Sequence, residues 1–180
     1  MKEKMNLPAN IITNNIISSS NKSAVKDCQL MKVFEDELKD IYWSEKELLR
    51  SISNMIQNAS SNLLIEALET HLQKKGEQIK RVENAFELIE KNPIAKKCKA
   101  IAYLIDETEE MMDVCDAGIL RDMEIISGSQ KIEHYEIGAY ATLCEFAENI
   151  GIRDVASILK KTLIEEIVIH KKLSQIAECI

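Results

Sequence analysis

The sequence predicts an all-α protein built on four long helices, and three observations support this fold class. The chain has 180 residues but only five glycines and two prolines, so few positions interrupt a helix. Leucine, isoleucine, glutamate, lysine and alanine are frequent, which is typical of helical proteins. Apolar residues recur at steps of three and four along four long segments, the spacing of one helix face. A chain of this length is expected to fold as one domain.

The first two predicted helices cover residues 29 to 58 and residues 62 to 91. Ser61 is predicted to begin the second helix, because a serine oxygen can accept a free backbone N–H. Pro93 is predicted to end it, because proline disfavours a helical conformation in the preceding residue. The inner faces are predicted to carry Phe34, Leu38, Ile41, Glu45, Leu48, Ile52 and Met55, and then Leu64, Leu68, His71, Lys75, Gln78, Val82, Ala85 and Ile89.

The second pair of long helices is predicted over residues 116 to 149 and residues 152 to 180, with Gly151 between them. The connection from the first pair is too long for a hairpin and contains a shorter amphipathic helix over residues 100 to 112. Gly128 is expected to allow a kink or a close approach of another helix. The inner faces are predicted to carry Ile119, Met123, Ile126, Gln130, Glu133, Ile137, Tyr140, Cys144 and Ala147, and then Val155, Leu159, Leu163, Glu166, Ile169, His170, Leu173 and Ile176.

Residues 1 to 28 are predicted to form a flexible N-terminal tail, and residues 29 to 180 the helical domain, because the tail is polar and lacks a period. The net charge of −7 argues against binding to nucleic acid or to an anionic membrane. No apolar run approaches the roughly 20 residues of a membrane span. The five scattered cysteines form no paired motif, so we expect reduced thiols and a cytoplasmic location.

Polar residues interrupt the inner face of every long helix near its middle. Glu45 lies about fifteen residues before the loop that joins the first two helices, and Lys75 lies about fifteen residues after it. The two residues are therefore at the same height in an antiparallel pair. Glu133 and Glu166 lie at similar distances on either side of Gly151, and they are level too. Four coincidences of this kind favour one shared polar site in the bundle core.

Carboxylates on facing helices, with histidine on the same faces, are the residues with which four-helix bundles hold two iron or manganese ions. Anionic oxygens suit these cations, and imidazole completes such a site. A bound ion also relieves the repulsion between neighbouring carboxylates. The alternative is a buried layer of ion pairs that sets the bundle register. The candidate metal ligands are Glu45, Glu133, Glu136, Glu166, His170, Gln78 and His71; no catalytic residue is assigned.

The sequence resembles the ferritin-like superfamily, and within it the YciE/YciF family of small bacterial stress-associated proteins. The matching stretches are D-E-L-K-D-I-Y-W-S-E-K-E-L-L (36–49), E-T-H-L (69–72), Q-K-I-E-H-Y-E-I-G-A-Y (130–140) and T-L-I-E-E (162–166), over about residues 30 to 180. The resemblance implies an up-down-down-up bundle with an additional short crossover helix, a homodimer and a di-metal site. It assigns ligands to Glu45, Glu133, Glu136 and Glu166.

Two departures from the ferritin-like pattern bear on the expected function. The second helix usually carries Glu-x-x-His, but this chain offers Lys75-x-x-Gln78, and His170 follows Glu166 by four residues instead of three. The resemblance implies a di-metal protein that oxidises ferrous iron or reduces a peroxide during stress. The alternative is a non-enzymatic dimeric bundle with a degenerate site, a cluster of Lys75 with carboxylates, that acts through protein contacts. A large iron-storing cage is the least favoured interpretation.

Overall fold

The computed structural model describes residues 10–180, with side chains from Asp27 onward, and these residues form five helices. Within this range there is no strand, so the predicted all-α class is confirmed. None of the helices described combines the length and hydropathy needed to span a bilayer. The helices are α1 (Asn10–Asn58), α2 (Asn62–Leu88), α3 (Lys99–Val114), α4 (Ile119–Ile150) and α5 (Arg153–Ala177).

The observed helix ends differ from the predicted ones mainly at the start of α1. This helix begins at Asn10, well before the predicted start at residue 29. Residues 1 to 9 of the predicted tail, and the side chains of residues 10 to 26, lie outside the described residues, so the division of the chain at residue 28 stays a prediction. Gly151 closes α4 in a left-handed conformation with φ of 89°, and its N–H bonds the carbonyls of Ala147 and Glu148.

The helices follow the up-down-down-up order. Short turns join α1 to α2 and α4 to α5, so each pair is antiparallel. Along α1 and α4, Glu45 contacts Tyr140, whereas the later Met55 contacts the earlier Ser129, so these two helices are also antiparallel. It follows that α2 and α4 run in the same direction, and α3 carries the chain back between them. The predicted topology with a crossover helix is confirmed.

The bundle core consists of two apolar clusters on either side of a polar layer. One cluster includes Leu64 and Leu68 and receives α3, and the other includes Phe34 and Phe86. All seven residues predicted for the inner face of α1 are buried. The prediction for α4 is less accurate. Ile119 and Met123 are exposed, whereas a second row of residues, including Ile125, Ser129, Ile132 and Glu136, is buried. Ser129 contacts Met55 of α1 and Glu136 contacts Lys75 of α2, while α3 covers a further side of α4 at Gly128.

Gly128 marks the closest approach of α3 to α4. A Cβ at this position would lie closer than 3.0 Å to three side-chain atoms of Thr108. The helix continues unbroken through Gly128, and the residue allows the close approach of α3 that the sequence analysis expected as one of two possibilities. Gly138 lies further along α4, and a Cβ at Gly138 would have no atom within 4 Å. Close packing therefore requires glycine at only one of these two positions.

The start of α2 is held by a residue that the sequence analysis did not identify. Ser61 occupies the N-cap position, but its side chain makes no capping bond, contrary to the prediction. Instead the buried carboxylate of Asp122, at the start of α4, accepts the backbone N–H groups of Ser60 at 2.7 Å and Ser61 at 2.8 Å. This contact connects the loop between α1 and α2 to the start of α4. An anionic acceptor is favourable at a helix N-terminus.

Candidate metal centre

Eight polar side chains from four helices meet in one buried plane, which we call the polar layer. None of them is more than 4% exposed. Burial of ionisable groups is unfavourable unless they are paired or hold a cation, so their arrangement decides what the layer can do. The layer consists of Glu45 from α1, His71, Lys75 and Gln78 from α2, Glu133, Glu136 and Tyr140 from α4, and Glu166 from α5.

One side of the polar layer is organised around the ammonium of Lys75. Its Nζ lies 2.7 Å from Glu136 Oε2, 3.2 Å from Glu166 Oε1 and 3.3 Å from Glu45 Oε2. An ammonium has three donors, and here each donor has a carboxylate neighbour on a different helix. We call Lys75 with these three carboxylates the Lys75 group. Tyr140 supports it by donating a 2.6 Å hydrogen bond to Glu45 Oε1.

The other side of the polar layer lacks an internal cation. His71 Nε2 lies 3.5 Å from Glu133 Oε1 and 3.6 Å from Glu166 Oε2, beyond the usual length of a hydrogen bond. We call these three residues the His71 group, and their ligand atoms all lie within 4.8 Å of one another. Two ligands of one ion, each about 2.1 Å from it, lie roughly 3.0–3.5 Å apart. The observed spacing therefore suits a shared ion better than direct contact.

Several buried atoms of the His71 group have no hydrogen-bond partner among the described residues. They are both ring nitrogens of His71, Glu133 Oε2 and Glu166 Oε2. Such orphaned groups are rare in folded proteins, and each requires an explanation such as a bound water or ion. A nitrogen and carboxylate oxygens are also the donor set that divalent iron and manganese accept. The residues present therefore fit a divalent cation at the His71 group.

The electrostatics of the His71 group also suit cation binding. Burial raises the pKa of Glu133 well above its usual value, and the neighbouring carboxylates of Glu166 and Glu136 add to this effect. Burial also lowers the pKa of His71, which keeps its imidazole neutral and able to coordinate. A cation would remove the repulsion that raises the pKa of Glu133, because it stabilises the anionic carboxylate.

In the Lys75 group, charge pairing outweighs burial at Lys75 and Glu166, whereas burial still raises the pKa of Glu45 and Glu136. Burial opposes the ammonium form, but Glu136, Glu166 and Glu45 raise the pKa of Lys75 well above its usual value. Burial likewise opposes the anionic form of Glu166, yet the charge of Lys75 and the nearby side chains of His71 and Glu133 hold its pKa below the usual range. Glu166 is thus the carboxylate that stays ionised, and it belongs to both groups.

The structure brings five of the seven predicted ligands into these two groups, namely Glu45, Glu133, Glu136, Glu166 and His71. It places the other two differently. The amide of Gln78 donates to Glu165 Oε2 at 3.2 Å. His170 lies beside His134, with ring centroids 4.2 Å apart, and is in neither group. Glu136, which is absent from the row of residues predicted for the inner face of α4, is fully buried.

The residues that the sequence analysis missed lie at the edge of the layer. Arg81 donates to both oxygens of Glu165 at 2.8 Å and to Thr162 Oγ1 at 2.7 Å, and so closes one side of the site. Arg81 follows Gln78 by three residues on α2, and Glu165 precedes Glu166 on α5. This spacing is compatible with an ion pair between α2 and α5. Which side of the site the ion pair closes depends on the rotation of each helix about its axis.

A groove of about 470 Å³ between α2 and α5 leads from the surface to the His71 group. Leu63, Ile164 and Val168 line its outer part and are about half exposed. His71 and Glu166 line its inner part. The groove therefore reaches the edge of the His71 group at His71 and Glu166, whereas Glu133 and the Lys75 ammonium do not line it.

Comparisons with known proteins agree with the motifs. Protein YciF of Escherichia coli (strain K12) is 36% identical over 152 residues, which cover 82% of this chain and 92% of YciF. The crystal structure of the E. coli stress protein YciF has a TM-score of 0.79 at 35% identity, covering 82% of this chain and 94% of that one. YcfI from Rhodopseudomonas palustris has a TM-score of 0.78 at 32% identity, covering 81% and 92%.

The family described as "Domain of unknown function (DUF892)" matches residues 29–180, which include every residue of the polar layer. The match and the two relatives confirm the resemblance to YciF-type proteins that the motifs predicted. The chain belongs to the DUF892 family.

Proposed function

We propose that this protein is a stress-associated metal-binding protein that holds iron or manganese in the core of its bundle. The observation that carries this proposal is the set of buried, unpartnered ligand atoms of His71, Glu133 and Glu166. These atoms lose their hydration in the folded protein and gain no hydrogen bond, which is unfavourable unless a cation replaces both. The similarity to YciF, which is described as a stress protein, supports the physiological setting.

Iron or manganese, when bound, would supply redox chemistry with oxygen or a peroxide. His71 and Glu133 would hold the ion, and Glu166 would bind it through the oxygen that does not face Lys75. The apolar clusters on both sides exclude bulk water, and the groove between α2 and α5 gives small oxidants access. Oxidation of ferrous iron or reduction of a peroxide is therefore the activity to test.

The test is elemental analysis of the protein purified from medium supplemented with iron or manganese. We expect bound metal in the wild type and its loss in Glu133→Gln, which keeps the side-chain volume but removes the anionic ligand. Glu145→Gln is the matched control, because Glu145 is exposed on the same helix. Metal-free wild-type protein after supplementation, or equal metal in Glu133→Gln and the wild type, would contradict the proposal.

The redox activity has its own measurement. Ferrous iron is added to metal-free protein without oxygen, oxygen is then admitted, and ferric iron is followed by its absorbance. We expect faster oxidation in the wild type and in Glu145→Gln than in Glu133→Gln. Equal rates in all three proteins would reject the activity while leaving metal binding intact.

A second candidate function is a non-enzymatic bundle that acts through protein contacts. The Lys75 group supports it, because an internal ammonium stabilises buried carboxylates without any metal. The half-exposed apolar residues beside the groove, Leu63, Ile164 and Val168, fit a homodimer contact. Sedimentation analysis of the wild type and Val168→Glu tests this contact. We expect a dimer that the added charge weakens, and an unchanged monomer would reject it.

A further inference from the structure

The two groups in the polar layer share Glu166 but differ in what lies at their centre. Glu166 directs Oε1 to Lys75 Nζ at 3.2 Å and Oε2 to His71 Nε2 at 3.6 Å. In a site for two metal ions, a shared carboxylate of this kind would bridge them. Both groups contain buried carboxylate oxygens without a hydrogen-bond partner, among them Glu45 Oε2 and Glu136 Oε1 in the Lys75 group. The difference is that the lysine ammonium occupies the centre of the Lys75 group, whereas no cationic side chain of the described residues occupies the centre of the His71 group.

We propose that the Lys75 ammonium takes the place of one metal ion, so that each chain binds a single divalent cation, at His71, Glu133 and Glu166. This inference rests on the proposed metal-binding function and revises the two ions that the ferritin-like resemblance implies. The Lys75 group then forms the permanent half of the site, and the His71 group the exchangeable half.

Distances support an ammonium as the resident cation of the Lys75 group. The contact to Glu136 at 2.7 Å has the length of a charge-assisted hydrogen bond, those to Glu166 at 3.2 Å and Glu45 at 3.3 Å are longer ion pairs, and Lys75 is fully buried. A metal ion bound to the same oxygens would occupy the position of Nζ. Lys75 would have to leave, and its ammonium would have to enter an apolar cluster or reach solvent from the middle of α2.

The charges of the layer support one ion and not two. The layer can carry at most four negative charges, from Glu45, Glu133, Glu136 and Glu166, and these face the single positive charge of Lys75. One divalent ion leaves the layer with one excess negative charge. A second divalent ion would turn it positive and would lie within a few ångströms of the ammonium, where repulsion in a low-dielectric interior is strong.

Access supports the same assignment. The groove between α2 and α5 is lined by His71 and Glu166, whereas Glu45, Glu136 and Lys75 do not line it. An ion arriving from solvent meets the His71 group first. Of the Lys75 group, only Glu166, which both groups share, lines the groove.

The inference is tested by counting manganese ions in the full chain. Chelator-treated protein is dialysed against Mn²⁺, and bound metal is measured by elemental analysis. We expect one ion per wild-type chain. Glu133→Gln should lose it, whereas Glu45→Gln should keep it, because Glu45 contacts only the Lys75 side of the layer. This pair of isosteric buried variants does not require the removal of Lys75.

Lys75→Met supplies the complementary measurement, because methionine keeps most of the side-chain length without the charge. A folded Lys75→Met chain should bind two manganese ions, and their shared Glu166 should couple their electron spins in the paramagnetic resonance spectrum. One ion per chain in this folded variant would overturn the inference. If the variant does not fold, the count in the wild type, Glu45→Gln and Glu133→Gln decides.

Failure of the inference differs visibly from failure of the proposed function. Two ions per wild-type chain, or loss of metal in Glu45→Gln equal to that in Glu133→Gln, would overturn the single-ion inference while metal binding stands. No manganese or iron in the wild type would overturn the proposed function and the inference with it.

Discussion

The polar layer and the two apolar clusters occupy the same bundle core, but they stabilise it in opposite ways. The clusters contain close-packed side chains such as Leu68 and Phe86, whose burial favours folding without any ligand. The layer buries four carboxylates against one ammonium and leaves several polar atoms unpartnered. Apolar residues of similar volume would often be as stabilising or more so. The clusters therefore maintain the fold, while the layer contributes less to stability and is the part of the core to which the proposed function assigns ligand binding.

The largest effect is expected where an apolar region is packed most tightly. Gly128→Ala places a methyl group against Thr108, and we expect a loss of about 1–3 kcal/mol in the free energy of unfolding because neither backbone can easily move. Chemical denaturation measures it. Gly138→Ala is the matched control and should be neutral or stabilising by up to about 1 kcal/mol, because its site is open and alanine favours helix. Equal stability of the two variants would contradict this account.

A smaller effect is expected where the polar layer meets the second apolar cluster. Tyr140→Phe removes the donor to Glu45 Oε1 and leaves a buried carboxylate oxygen less satisfied, so we expect a loss of about 1–2 kcal/mol. Thermal unfolding of the metal-free protein measures it. Tyr42→Phe removes a comparable bond to Glu83 in a less buried place, and it should cost less. If Tyr42→Phe proves the more damaging change, the Lys75 group does not depend on Tyr140.

The smallest effect at any one pH is expected from the titration of the layer in metal-free protein. Burial raises the pKa of Glu133 above its unfolded value of 4.5, so the folded chain keeps a proton that the unfolded chain has lost. Stability from this group is therefore complete below 4.5 and declines as pH rises through the folded pKa. Glu166 has a lowered pKa, so its contribution is present above 4.5 and declines as pH falls.

Denaturation of chelator-treated protein between about pH 5 and pH 9 tests this sign. The wild type should lose stability as pH rises, and Glu133→Gln should lose less and be the more stable protein at the alkaline end. Glu145→Gln, exposed on α4, should behave as the wild type does. A wild type that instead gains stability with rising pH in this range would show that Glu133 is ionised in the folded metal-free chain.

How far the sequence predicted the site depends on the helix. On α1 every residue predicted for the inner face is buried, but the spacing missed Tyr42, Ser44 and Ser51, which are buried as well. On α4 it wrongly buried Met123, and it left out Glu136, which is buried because it contacts Lys75 of α2 in the bundle core. Counting residues to each interhelical loop correctly predicted that Glu45 and Lys75 lie at the same height in the bundle, and that Glu133 and Glu166 do too. The contacts of Gln78 and His170 did not.

By itself, the sequence determined that four helices would bring carboxylates, histidine and lysine to one interior level, because helical rise and short turns convert residue number into height. Only the tertiary structure decided how that level divides into a group around Lys75 and a group around His71. The division depends on the rotation of each helix about its axis and on the side-chain rotamers. Both are set by packing against neighbouring helices, such as α3 on α4, and not by spacing along one chain segment.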